Sequence, residues 1–123
     1  MVIERWRRLS LSWDRNCAVF AADCVLAQTG RDPIADVRHK MTGARGLADV
    51  LREGDGSLQS VVTRRLGPQV SPRLAKRGDI VGLDRRGMHL GVCVGSTALL
   101  LDDEGLKPVP MRDVACAWVV SHG

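Results

Sequence analysis

NCAVFAADCVLA, residues 16–27, is the stretch whose reading decides the fold. From Cys17 to Ala27 every residue except Asp23 is apolar or cysteine, so a helix made from it has no wet face and belongs inside a domain. A buried strand can also read as an unbroken apolar run, but strands stop after roughly four to eight residues. This run continues to Gln28 and is rich in alanine, a helix former. The segment therefore reads as a central helix, with Asp14 or Asn16 as N-cap and Gly30 just past its end. Cys17 falls in the first turn, where unpaired backbone N–H groups and the positive end of the helix dipole favour a thiolate. Cys17 is the nucleophile candidate.

The chain of 123 residues has room for one domain with its own core, expected to span 1–123. Its start, MVIERWRR, is charged where a secretory signal would be apolar, and eighteen apolar residues never run together. The expectation is synthesis in a reducing cytoplasm and no membrane span. Four cysteines are present, but Cys17 and Cys24 lie about 10 Å apart along one helix axis and cannot bridge. The close C-x-x-C spacing of metal sites is missing, so Cys24, Cys93 and Cys116 read as small core hydrophobes and no cofactor or metal is expected. Net charge is +4, with Arg5, Arg7 and Arg8 near the start and Arg64, Arg65, Arg73, Lys76 and Arg77 mid-chain. Such a balance suits solvated faces first and an anionic partner second. No aromatic is interleaved with these cations, which speaks against a specific nucleic-acid partner.

In chain order, Ile3, Trp6, Leu9, Leu11 and Trp13 suggest an amphipathic lead-in packed on the core. After the central helix, Asp32-Pro33 predicts a second helix to about Lys40. Ala44 to Arg52 predicts a third, and Ser57 caps a fourth that Gly67-Pro68 ends. From Pro72 the apolar period drops toward two. Strands are predicted at Ile80–Leu83, His89–Gly95, Ala98–Leu101, Leu106–Val109 and Val114–Val120, joined as an antiparallel meander. The fold class is α+β, a helical half (1–70) packed on a sheet of about five strands (72–121).

Alternation along His89-Leu90-Gly91-Val92-Cys93-Val94-Gly95 puts His89, Gly91, Cys93 and Gly95 on one face. Small residues there would admit a close helix and aim His89 at Cys17, the nucleophile and base pairing of thiol acyl transfer. Helix-start N–H groups could hold the oxyanion. Asp23, alone in an apolar helix, reads as a satisfied acid tied to neighbouring backbone, and His39 and His122 have no assigned role.

A cysteine at a helix start, a Gly-Asp turn opening a strand and a His-hydrophobic-Gly-hydrophobic-x-hydrophobic-Gly strand together resemble the NlpC-type cysteine peptidases, papain relatives that cleave peptidoglycan stem peptides. More closely, the chain resembles a small NlpC-like family of phage and prophage tail regions. The matching pieces are Trp13, Asn16 through Asp23, Thr29-Gly30-x-Asp32-Pro33, Ala75-x-Arg77-Gly78-Asp79, Leu90 through Gly95 and Ala117-Trp118. The resemblance implies a papain-like fold, Cys17 as nucleophile and His89 as general base. It further implies a peptidoglycan peptide as substrate, tail-tip or hub proteins as partners, and a place in the virion after synthesis in a bacterial cytoplasm. Asn16, Ala18 and Val19 depart from the Asp-Cys-Ser-Gly-Phe of the peptidases, and their orienting polar residue has only Asp102 or Asp103 as a stand-in, each with a register shift. A catalytically degenerate structural component of the tail tip is the alternative implied by those departures.

Overall fold

The computed structural model describes residues 2–3, 16–41, 43–84, 87–102 and 105–120. Trp6, Leu9, Leu11, Trp13, Asp14, Asp103 and His122, all singled out above, lie outside the described residues. So do the side chain of Asp102 and most of the proposed lead-in, although Val2 and Ile3 pack against the core.

The decisive stretch is a helix, α1, Cys17–Thr29. Asn16 caps it by accepting the Val19 N–H at 2.9 Å, and Gly30 ends it at φ 76°, donating to the Leu26 carbonyl. Val19, Phe20, Ala21, Ala22, Cys24 and Val25 are buried. The helix expected after Asp32-Pro33 is instead a chain of tight turns ending in a 3-10 turn at Arg38–Lys40. Each turn closes an i to i+3 bond, as in Val37 N–H to the Ile34 carbonyl. The Asp32 carboxylate takes the Ile34 N–H two residues on, a local bond that competes with helix propagation. Arg38 then clamps that carboxylate at 2.7 Å and Asp23 at 2.9 Å. Asp23 is thus tied to the turns after α1 through the Arg38 guanidinium.

Helix α2, Ala44–Leu51, and helix α3, Leu58–Leu66, fall where the caps predict, with the Ser57 hydroxyl accepting the Ser60 N–H. Arg65 fastens α3 to the earlier turns, reaching Glu53 at 2.8 Å and Asp36 at 2.7 Å. Five antiparallel strands follow: β1 Ile80–Asp84, β2 Met88–Cys93, β3 Thr97–Asp102, β4 Gly105–Pro110 and β5 Cys116–Trp118. Their order is β4-β3-β2-β1-β5, so only the first four form the expected meander, and the last strand returns to pair with β1. Trp118, fully buried, donates its indole N–H to the Thr63 hydroxyl at 3.0 Å and so locks α3 to that returning strand.

The sheet is apolar on both sides. Ile80, Leu90, Val92, Leu99, Leu101, Cys116 and Trp118 join the core of α1, while Val81, Leu83, Cys93, Ala98, Leu100, Val109, Val114 and Ala117 form a second cluster on the far side. Val70, Ala75 and Met111 pack against that second cluster. Among the described residues, no helix is long and apolar enough to cross a membrane.

One side-chain bond joins the two halves, and a buried acid ties the start of the sheet to its end. Gln28, in the last turn of α1, donates to the Gly78 carbonyl at 2.8 Å. Gly78 sits at φ 98°, and a side chain there would run into Gln28. Asp79 follows, buried, its carboxylate accepting the Lys76 N–H at 2.9 Å and the Val120 N–H at 3.0 Å. Removing it would leave the buried Val120 N–H, and the partly buried Lys76 N–H, without their partner. Asp79→Ala is expected to cost about 3 kcal/mol in urea unfolding, whereas Asp49→Ala, which breaks only the exposed pair with Arg52, should cost less than about 0.5 kcal/mol.

Candidate functional site

Asn16 does more than cap. While its side-chain oxygen accepts from Val19, its amide donates to the Met41 carbonyl at 3.0 Å. A carboxylate at this position could cap the helix but could not donate. The amide therefore pins the start of α1 to the end of the 38–41 turn. That double bond was not legible from the sequence, where only the capping role has a signature.

Cys17 is the first residue of α1 and is packed against the core at the start of β2. The backbone N–H groups of Leu90, Cys17 and Ala18 point to its sulfur. Each lowers the thiol pKa, as the helix-start position predicts, yet burial is the larger influence and leaves the thiol above its ordinary value. The expected activation of the thiol is outweighed by desolvation.

His89 stands one residue before Leu90, so the fold brings Cys17 and His89 to the same end of β2. It does not bring them to the same face. Leu90 and Val92 lie in the α1 core and Cys93 in the far cluster. His89 follows the parity of Cys93 and pairs across the ladder with Leu83, itself part of the far cluster. There it lines a groove of about 150 Å³ with Leu83, Leu100, Lys107 and Pro108. The alternation is as expected and the face is reversed. On the α1 side, Leu90 and Ile80 share one core with Phe20, Ala21 and Ala22 of that helix, and Ala18, Ala21, Ala22, Ile80 and Leu90 border a small apolar cavity there. Gly91 could not exchange sides, because a side chain there would strike the Leu99 carbonyl and the Leu100 side chain.

Asp102 closes β3 opposite Gly105. The β2–β3 ladder pairs Gly91 with Leu100, and two residues further along each strand are His89 and Asp102. The β2–β3 pairing ends at Gly91 and Leu100, so His89 and Asp102 both lie beyond it. The remaining cysteines are buried and unbridged. Cys93 donates to the Gly95 carbonyl at 3.3 Å, and burial pushes the Cys116 thiol up. His39 is exposed. No cluster of three or more histidine, cysteine or acidic side chains suited to a metal ion occurs among the described residues.

A family model described as Domain of unknown function (DUF6950) matches residues 1–120. The chain belongs to this family. No curated protein and no solved structure matches it. The match spans every element of the DUF6950 domain described above, from the Cys17 helix to the returning strand β5.

The raised thiol pKa has a direct chemical consequence for the DUF6950 domain. At neutral pH, Cys17 should react with iodoacetamide at least about tenfold more slowly than a free cysteine, with a rate that climbs as pH passes the ordinary thiol range. Mass-spectrometric mapping of the labelled cysteine against time and pH measures this.

Proposed function

We propose that the chain is a structural component of a phage or prophage tail tip. In this view it is an NlpC-like, papain-related module that keeps the helix-on-sheet frame of cell-wall peptidases without their hydrolysis. The single observation that carries this proposal is the separation of the two reacting groups. Cys17, half-buried at the start of α1, packs against the core on that helix's side of the sheet, and His89 belongs to the far face with Leu83. A thiol is a weak nucleophile until a base within hydrogen-bond reach takes its proton. An imidazole across the sheet cannot take it. The partners of such a component are other tail-tip or hub proteins, and its place is the virion after assembly from the bacterial cytoplasm.

A second proposal, a thiol peptidase or amidase acting on peptidoglycan stem peptides, has one observation of its own. The backbone N–H groups of Leu90, Cys17 and Ala18 favour the Cys17 thiolate at a helix start, a setting suited to a developing oxyanion. Under it the His89 ring comes round the start of β2 to serve as general base, with Asp102 as the orienting group.

Release of soluble fragments from purified peptidoglycan separates the two. For the structural component, wild type and Cys17→Ala release equally little. Release by wild type that Cys17→Ala abolishes and Cys24→Ala retains would overturn it in favour of the peptidase, with an expected loss of at least about a thousandfold in rate.

A further inference from the structure

Of the mid-chain cations, Arg73, Lys76 and Arg77 lie in and just after the turn that leads into the sheet, away from Arg64 and Arg65 on α3. Ser71–Leu74 carries a 3-10 turn at Pro72–Leu74, and a second lies at Met111–Asp113. The two turns flank a groove of about 410 Å³ whose walls carry Arg73 and Arg112 and whose apolar surface comes from Pro72, Met111 and Val114. The Met111 N–H bonds the Ser96 carbonyl at 3.0 Å, which sets the second turn against the β2–β3 connection. Arg77 lies over Gly95 of that same connection. Lys76 is its neighbour, and Arg73, Lys76, Arg77 and Arg112 are all exposed.

None of these four cations makes an ion pair among the described residues, although Asp113 is beside Arg112 in sequence. Arg38, Arg52 and Arg65 do have carboxylate partners, so what sets this surface apart is unpaired arginines lining a groove rather than an unpaired arginine as such. Amid the free cations Leu74 is 65 % exposed, the most exposed large apolar side chain described. An isolated surface leucine means little, and an isolated arginine means little. Two unpaired arginines lining an apolar groove, with Arg77, Lys76 and an exposed leucine on the adjoining segment, form a surface whose complement is both acidic and apolar.

We propose that this surface docks an acidic segment of a partner protein, with carboxylates meeting Arg73, Arg112 and Arg77 and an apolar side chain covering Leu74 and the groove. A protein segment fits better than a nucleic acid because the surface offers leucine, methionine and proline and no ring on which a base could stack. The assignment is independent of whether the chain belongs to a tail tip and of whether Cys17 is reactive.

Fluorescence anisotropy with a short, labelled, glutamate-rich peptide containing leucines tests it on the full chain. Binding is expected at low salt, weakened at least about tenfold by the double variant Arg73→Glu/Arg112→Glu. A several-fold loss is expected both for Leu74→Ser and for a peptide with serine in place of leucine. Arg45→Glu, exposed on the helical side, should leave binding unchanged. Circular dichroism melting establishes that each variant is folded, and Arg73→Gln/Arg112→Gln replaces any that is not. Absence of binding, or binding indifferent to the double variant, would overturn the proposal. So would a labelled oligodeoxynucleotide that binds as tightly as the peptide and ignores Leu74→Ser, which would make the surface a general polyanion site.

Discussion

The contact between the alanine face of α1 and the large side chains of β1 and β2 is the constraint on which the molecule depends. Phe20, Ala21 and Ala22 of α1 are buried in one core with Ile80 and Leu90 of the sheet, and a small apolar cavity lies beside them. Close-packed interiors accept only complementary volumes, so the side of the sheet given to Leu90 is settled by the helix. Strand alternation then settles everything else on β2. Val92 must follow Leu90 toward α1, and Gly91, Cys93 and His89 must face away. One packing choice thereby decides where the imidazole can go, well before any question of chemistry arises.

The same contact sets the electrostatics at Cys17. A helix start offers N–H groups to an anion, and Leu90 adds another from near the start of the central strand β2. In water those donors would favour thiolate. Pressed against the core, the sulfur loses more from missing solvent than it gains from three donors, and the thiol stays protonated. Papain-like chemistry needs an opposite charge close by to reverse that balance. The position of a cysteine along a helix is thus an incomplete guide to its reactivity.

Much of the architecture was legible in the chain because caps and periodicity are local signals. Asn16, Gly30, Ser57 and Gly67 bracket two helices where they were expected, and the strands fall close to their predicted bounds. What was not legible depends on long-range partners. The turns after Asp32 replace a helix because Arg38 and the Ile34 N–H share the Asp32 carboxylate. The last strand joins β1 because Trp118 must be buried beneath Thr63 of α3. At the site, Cys17 was identifiable as a helix-start residue and His89 as a strand-start residue. The choice of face was not, since glycines on a strand can mean an approaching helix or, as with Gly91, a close neighbouring strand carbonyl.

A crystal structure that locates the Cys17 sulfur and both ring nitrogens of His89 is the most direct test of this arrangement. The account predicts the sulfur beside the Leu90 N–H, the imidazole in the groove with Leu83 and Lys107, and the sheet backbone between them. An imidazole nitrogen within hydrogen-bond reach of the sulfur, on the α1 side of β2, would contradict it.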